Sequence, residues 1–253
     1  MRRILSAVLA LAFLFAASSP ASAATIIYAT PLESDVNGKP VSAQVTFVTS
    51  VDQISVLLEN LFVDPTSVAQ NISGLFFSVD GSGDASATLT SDTGMHRQID
   101  RDGTYTDLGV LDTDWTLSLL SGQLFLNGLG SGGPDHTIVG GAGQDNLYDN
   151  ANGSIAGNRP HNPFLASSAL FLISMPGVTA NTLILDAIFR FNTDANGGRV
   201  PGRCEGVDCG STVPDDAVPA PEPGSLLLLG SGLVGAAAWA RRKGAQLRAT
   251  NDE

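Results

Sequence analysis

One stretch of the sequence has the residue types and spacing of a calcium-binding loop. Residues 140–148 (Gly-Gly-Ala-Gly-Gln-Asp-Asn-Leu-Tyr) follow the pattern Gly-Gly-x-Gly-x-Asp-x-apolar-x position by position. The glycines let the backbone turn, so that carbonyl oxygens and the Asp145 carboxylate converge on Ca²⁺. Such repeats share each ion between successive turns, and residues 130–139 do not repeat the pattern. One copy supplies half a site, so a glycine-rich loop is the favoured interpretation and Ca²⁺ at Asp145 is the alternative.

A second segment resembles the start of an EF-hand-type loop. Residues 192–197 (Asn-Thr-Asp-Ala-Asn-Gly) contribute Asp194, but Arg203 stands where the loop needs its twelfth-position carboxylate. The same residue types also form ordinary turns. We therefore expect no cofactor, with Ca²⁺ at Asp145 or Asp194 as the alternative.

The chain has three histidines, His96, His136 and His161. No two of them have the close spacing of a zinc-binding helix. A Ser-His-Asp triad needs no adjacency in sequence, so an exported hydrolase using Asp135, His136 or His161 is a third hypothesis. Residues 128–132 match Gly-x-Ser-x-Gly, but they lack the preceding strand and the following helix of a nucleophile elbow.

An acidic patch surrounds Tyr105. Its members are Asp100, Asp102, Asp107, Asp112 and Asp114. Paired carboxylates can hydrolyse glycosides, but only at a defined separation in space, which sequence spacing does not set. We therefore predict no catalytic residue and a protein that is not an enzyme.

The N-terminus has the three parts of a secretory signal peptide. Two arginines precede an almost wholly apolar run of 14 residues, 4–17, and small residues follow. This run is shorter than the ~20 residues that span a bilayer. Small side chains at Ala21 and Ala23 suit signal peptidase, so we predict cleavage before Ala24 and a signal peptide of residues 1–23. An uncleaved anchor helix is the alternative.

The C-terminus carries a second three-part signal. A short acidic and proline-rich motif is followed by an apolar run of 16 residues, 225–240, and a basic cluster. The motif is Pro221, Glu222 and Pro223, and the cluster is Arg241, Arg242 and Lys243. The run can lodge in a membrane, and the basic cluster should stay in the cytoplasm, which places the preceding residues outside. An ordinary tail anchor is the alternative.

Residues 218–225 (Val-Pro-Ala-Pro-Glu-Pro-Gly-Ser), a leucine-rich segment and Arg-Arg-Lys together resemble the PEP-CTERM sorting signal. The resemblance implies recognition of Pro221, Glu222 and Pro223 by exosortase, a membrane-embedded cysteine protease-transpeptidase of Gram-negative bacteria. It also implies export and an association with exopolysaccharide and biofilm. The tail of residues 244–253 is longer than the usual basic ending.

The central region also resembles PEP-CTERM surface proteins of unknown function. The residues that carry this resemblance are 70–75, 133–138 and 152–164. It implies a surface protein and nothing more specific.

Cys204 and Cys209 are the only cysteines, and Gly206 between them lets the chain fold back. In an exported protein such a pair favours a small disulfide loop, with free thiols as the alternative. Two thiols without a nearby histidine are too few ligands for a metal.

The segment between the two signals is strongly acidic. Residues 24–218 contain 7 Lys and Arg against 22 Asp and Glu, a net charge of 7 − 22 = −15. Nucleic acid is excluded as a partner, because phosphate binding needs a basic face. An acidic surface keeps an exported protein soluble or attracts cations.

Short runs of Ser, Thr, Val and Leu alternate in this segment and are broken by Gly, Asp, Asn and Pro. The predicted strands are residues 25–29, 41–49, 53–61, 75–80, 85–91, 115–120, 123–126, 169–174 and 182–192. Many short strands with frequent turns favour one all-β domain, an antiparallel β-sandwich resembling a jelly roll.

The predicted β-sandwich domain covers residues 24–193, and its segment 128–163 is expected to be a long loop. A Gly- and Pro-rich spacer with the cysteine loop covers 194–220, and the sorting signal with one membrane helix covers 221–243. Residues 244–253 form a cytoplasmic tail.

The leading hypothesis is an exported surface or matrix protein without catalysis. Signal peptidase and exosortase process it as it passes the inner membrane, and it resides with exopolysaccharide at or beyond the cell surface. A calcium- or carbohydrate-binding module is the alternative.

Overall fold

Alternation of apolar and polar residues builds the centre of the sheet. In β4 (Ala43–Ser50) and β5 (Gln53–Asn60) buried and partly exposed residues alternate along nearly the whole strand. Val45 and Phe47 are fully buried, as their period of two predicts. The two strands pair antiparallel around a tight turn in which Asp52 adopts a φ of 55°.

The computed structural model describes residues 23–81, 86–130, 136–159, 161–194 and 197–206, and all of them belong to one compact unit. Within these ranges the chain forms β-strands and one short 3₁₀ helix, Val68–Gln70. The predicted all-β class is confirmed. The other strands are β1 (Ala24–Ala29), β2 (Asp35–Val36), β3 (Lys39–Pro40), β6 (Ile72–Val79), β7 (Thr88–Ile99), β8 (Tyr105–Asp112), β9 (Thr116–Leu120), β10 (Gln123–Asn127), β11 (Ile138–Val139), β12 (Phe164–Ser174), β13 (Ile184–Phe191), β14 (Arg199–Pro201) and β15 (Arg203–Glu205).

Thirteen strands form one branched sheet, and β2 pairs with β3 separately. The main path runs β14-β13-β6-β11-β12-β5-β4-β1-β15, with β7 and β8 branching from β12, and β10 and β9 from β6. β11 and β12 are parallel, while the other strand pairs of the described residues are antiparallel. The sheet is therefore mixed, and the jelly-roll arrangement stays a prediction.

The last two strands connect the two ends of this path. Only Gly202 separates β14, which pairs with β13, from β15, which pairs with β1. A Cβ on Gly202 would lie 3.0 Å from the Phe189 ring and 3.1 Å from the Ala187 carbonyl oxygen, so a side chain at this crossing would be crowded. The predicted spacer at 194–220 is thus wrong at its start, because residues 199–205 complete the sheet through backbone pairing.

A small second hydrophobic core anchors the segment 128–163, which was expected to be a long loop. Its buried members are Ile99, Val139, Tyr148, Ile155 and Phe164, separate from the main core around Phe47, Phe77 and Phe171. The Tyr148 hydroxyl donates to the Gly140 carbonyl oxygen (2.9 Å). The segment 128–163 therefore contains β11 and packs its own apolar residues against the end of β7.

No helix of the described residues is long and apolar enough to cross a membrane. Three predicted segments lie outside the described residues. They are the membrane helix in 221–243, the tail 244–253 and most of the signal peptide.

Candidate binding groove

A polar groove lies where the end of β7 meets the loop of residues 151–162. Its larger hollow, about 610 Å³, is lined by Gln98, Asp100, Arg101, Gly157, Arg159 and Asn162. A second hollow of about 320 Å³ is lined by Ala151, Gly153 and Ala156 and shares Arg101 and Gly157 with the first. Arg101 therefore lies where the two hollows adjoin. We call the combined feature the Arg101 groove.

The loop side of the groove is anchored to the buried residue Ile99. The Asn162 side-chain oxygen accepts from the Ile99 backbone N–H (3.0 Å), and the Asn162 amide nitrogen donates to the Ile99 carbonyl oxygen (2.6 Å). The Gly157 N–H donates to the same carbonyl (3.1 Å). The peptide between Asn162 and Pro163 is cis. The hydrogen bonds of Asn162 and Gly157 with the Ile99 backbone replace those that a neighbouring strand would otherwise make with the end of β7.

Arg101 is positioned by its contact with Gly157. A Cβ on Gly157 would lie 2.5 Å from Cγ of Arg101 and 3.2 Å from its Nε, so the arginine side chain lies directly against the glycine backbone. Gly157 also has a φ of 68°, in the left-handed region that favours glycine. The close approach and the backbone conformation therefore both favour glycine here.

The two arginines of the groove have no carboxylate partner among the described residues. The ion-pair contacts of that part of the chain join Arg97 to Asp107 and His136 to Asp114. Arg101 and Arg159 are exposed. The groove thus offers two guanidinium groups to an external ligand, although the body is strongly acidic.

Two histidines that are distant in sequence meet beside β7. The rings of His96 and His136 are edge to face, with centroids 4.3 Å apart. His96 Nε2 lies 2.9 Å from the Asp112 carbonyl oxygen, and His136 Nδ1 lies 2.5 Å from the Pro163 carbonyl oxygen. Burial is the main cause that lowers the pKa of His96, and the neighbouring His136 lowers it further.

Comparison with known families matches residues 219–243 to the PEP-CTERM protein-sorting motif. This chain carries a PEP-CTERM sorting motif. Neither a curated protein nor a solved structure matches the chain. The PEP-CTERM motif implies export, exosortase as the processing partner, and a C-terminal sorting signal anchored in the membrane before processing.

The PEP-CTERM match includes every predicted sorting residue. These are Pro221, Glu222 and Pro223 together with the cluster Arg241, Arg242 and Lys243. All six lie outside the described residues, as does Ala21 of the predicted cleavage site. Ala24, the predicted first residue after cleavage, is the first residue of β1.

The predicted hydrolase residues of this PEP-CTERM chain are not brought together by any contact that the structure describes. Asp135 lies outside the described residues. His136 contacts His96, whereas His161 has a buried Nδ1 atom without a hydrogen-bond partner in the described structure. Burial lowers the pKa of His161. The absence of enzymatic activity stays a prediction.

The acidic patch around Tyr105 is divided among separate local contacts. Asp107 accepts two hydrogen bonds from Arg97, at 2.6 and 2.9 Å, and Asp102 accepts from the backbone N–H and hydroxyl of Thr104 in the turn before β8. Asp114 Oδ2 lies 3.9 Å from His136 Nε2. No contact of the described residues joins these carboxylates as a glycosidase pair.

The two calcium candidates lie in exposed turns. Asp145 is in a turn where the Gly143 N–H donates to the Leu147 carbonyl oxygen (2.7 Å), and the Asp194 carbonyl oxygen accepts from the Gly197 N–H (2.8 Å). No cluster of three or more His, Cys, Asp or Glu that could hold a metal occurs in the described parts of the chain. Ca²⁺ binding therefore stays a prediction.

Cys204 lies in β15 opposite Tyr28 of β1 and is disulfide-bonded. Cys209, its predicted partner, lies outside the described residues. The pairing of Cys204 with Cys209 stays a prediction.

The sequence analysis did not single out Arg101 or Arg159. The one available signal was the scarcity of cations in an acidic body, together with the position of Arg159 in the segment 152–164. That scarcity makes an unpaired arginine informative, but only the fold shows which arginines are unpaired.

Proposed function

We propose that this chain is a non-catalytic surface or matrix protein that exosortase sorts and that resides with exopolysaccharide outside the cell. The PEP-CTERM match over residues 219–243 carries the proposal, because it implies export and exosortase processing. Association with exopolysaccharide is the step that goes beyond the match.

The β body supports an extracellular binding role. Its net charge of 7 − 22 = −15 over residues 24–218 suits a soluble exported domain. A disulfide at Cys204 suits an oxidising compartment. Two of its buried polar rings make structural hydrogen-bond contacts: the Tyr148 hydroxyl donates to the Gly140 carbonyl oxygen, and His96 Nε2 lies against the Asp112 carbonyl oxygen.

The proposed route follows from the two terminal signals. Signal peptidase cuts before Ala24, and the body folds outside the cytoplasmic membrane. The cluster from Arg241 to Lys243 keeps the C-terminus on the cytoplasmic side until exosortase acts at Pro221, Glu222 and Pro223.

A pair of matched triple substitutions tests sorting in the native host. Pro221, Glu222 and Pro223 are replaced by alanine in one variant, and Pro214, Asp215 and Asp216 in the control. We expect the first variant to accumulate in the membrane fraction as the longer form and the control to mature normally. Equal mass and location of the two variants would refute sorting through this motif.

Cell fractionation tests the association with exopolysaccharide. Wild-type protein should fractionate with the extracellular polysaccharide and be released when a glycan-degrading enzyme digests that material. Protein that stays with the cells after complete digestion would count against this step while leaving exosortase processing intact.

The Arg101 groove favours carbohydrate binding as a second candidate function. It is an open, polar depression rather than an apolar pocket, and it is lined by side chains that pair with hydroxyl and carboxylate groups.

A further inference from the structure

We infer that the Arg101 groove binds an acidic glycan, a polysaccharide segment whose sugars carry carboxylate groups. The inference rests on the proposed association with exopolysaccharide and assigns it a site and a ligand chemistry. Arg101 and Arg159 bind the carboxylates, and Gln98 and Asp100 bind sugar hydroxyls.

The charge distribution is the first argument. Three other arginines of the body are engaged within the protein: Arg97 pairs with Asp107, Arg190 bonds to Ser73 and Asn127, and Arg199 lies over the Phe76 ring. Arg101 and Arg159 instead line one groove without a carboxylate partner in the described residues. Arg203 also has no carboxylate partner in the described residues, but it lies on β15 and is not among the residues that line the groove. Two guanidinium groups that line the same groove favour an anionic ligand there.

The chemistry of the groove is the second argument. A guanidinium group matches a carboxylate with two parallel hydrogen bonds, which gives directional binding as well as charge pairing. Gln98 supplies amide groups, and its nitrogen already donates to Asp100 (3.3 Å), so these two side chains form a polar edge suited to hydroxyls. An apolar ligand would leave these groups unpaired.

The shape is the third argument. The hollows of about 610 and 320 Å³ share Arg101 and Gly157, so together they form a longer groove than either hollow alone. Gly153 and Gly157 present no side chain to it. An extended open groove admits a linear polymer that continues beyond both ends, whereas a small isolated anion would need only one of the hollows.

Preorganisation is the fourth argument. The aliphatic stem of Arg101 lies against Gly157. Gly157 and Asn162 are in turn hydrogen-bonded to the backbone of Ile99. The stem of Arg101 therefore already packs against the loop that lines the groove, which reduces the side-chain ordering that binding requires.

Calorimetric titration of the mature protein purified from culture tests the assignment, with an oligogalacturonate as the acidic probe. A neutral glucose oligomer of equal length and free citrate are the comparison ligands. We expect binding of the oligogalacturonate alone. Arg101→Gln and Arg159→Gln should each weaken it about tenfold, the scale of a lost charged hydrogen bond. Arg203→Gln removes the same charge from an exposed position on β15 and should leave affinity within about twofold of wild type.

Absence of oligogalacturonate binding, equal binding of the neutral oligomer, or citrate competing as strongly as the polymer would each overturn the inference. Equal losses for Arg203→Gln and Arg101→Gln would also overturn it, by showing a general charge effect. Thermal unfolding of each variant verifies folding. Because processing at residues 221–223 is measured separately, failure of groove binding with normal maturation leaves the sorting proposal standing.

Discussion

His96 and His136 contact each other edge to face, with ring centroids 4.3 Å apart. His96 is only 5% exposed, and its Nε2 lies against the Asp112 carbonyl oxygen. Asp112 and Asp114 carry the nearby negative charges that favour protonation, but burial and His136 outweigh them and lower the pKa of His96. The folded protein therefore holds this ring in its neutral form more strongly than the unfolded chain does.

The first prediction is a loss of stability on mild acidification. Below the ordinary histidine value of 6.5, the unfolded chain binds a proton at residue 96 more readily than the folded protein does. The free energy of unfolding should thus be unaffected by His96 above about pH 6.5 and should fall as the pH drops from there towards the lowered pKa of His96. Urea unfolding at a series of pH values measures the slope. His96→Gln should reduce it, while His161→Gln removes only the separate contribution of His161, whose pKa is also lowered. An identical slope in His96→Gln and wild type would contradict the prediction.

The second prediction concerns the ion pair between Arg97 and Asp107. The guanidinium donates to both carboxylate oxygens and lies 3.8 Å above the centre of the Tyr105 ring. Because the Asp107 side chain is 38% exposed, a double-mutant cycle with alanine should give a coupling energy of about 1 kcal/mol.

The hydrogen bond from Arg97 lowers the pKa of Asp107, so this coupling should be present above the ordinary value of 3.8 and disappear as the pH falls through the lowered value. Asp102→Ala is the control, because Asp102 bonds to Thr104 and not to Arg97. A coupling between Arg97 and Asp102 as large as that with Asp107 would argue against the pair.

The third prediction concerns the buried Arg190. Its side chain donates to the Ser73 carbonyl oxygen (2.9 Å) and Asn127 Oδ1 (2.5 Å) and lies 4.7 Å from the Phe125 ring centre. Burial lowers its pKa to about 10. Arg190→Ala should destabilise the protein by about 3 kcal/mol, since it removes the packing of a buried side chain together with its charged hydrogen bonds. Arg190→Met should cost less, because it keeps most of the apolar stem.

Arg199→Ala is the matched control for Arg190. Arg199 is exposed and lies over the Phe76 ring at 4.5 Å, so its loss should cost at most about 1 kcal/mol. Denaturant unfolding measures all three variants. Similar losses for Arg190→Ala and Arg199→Ala would show that the buried hydrogen bonds contribute little.

The fourth prediction separates two glycines of the groove. Gly157→Ala should cost about 1–2 kcal/mol, because alanine is strained at positive φ and its Cβ would collide with Arg101. Gly153→Ala should be nearly neutral, since nothing lies within 4 Å of its added Cβ. Gly157→Ala should also weaken oligogalacturonate binding by displacing Arg101. Unfolding curves and calorimetry of both variants provide the test, and equal behaviour of the two would exclude the proposed contact.

The strands that the sequence predicts most closely, β4 and β5, each have one buried face. β4 and β5 alternate almost without interruption and agree with their predicted positions within two residues. β8 was not predicted, because it pairs only with β7 and its residues are mostly exposed, so it has no apolar period of two. β14 and β15 were interpreted as spacer, since three-residue strands interrupted by glycine carry no periodic signal.

The sequence alone determined the features that depend on neighbouring residues. These are the sorting motif at 219–243, the acidic balance of the body and the alternation that predicts the main strands. Tertiary structure decided which distant residues meet: His96 with His136, Arg101 with Gly157, and the last two strands with opposite ends of the sheet path. The physical reason is that motif and periodicity are local, whereas these contacts depend on strand register and loop packing over the whole fold.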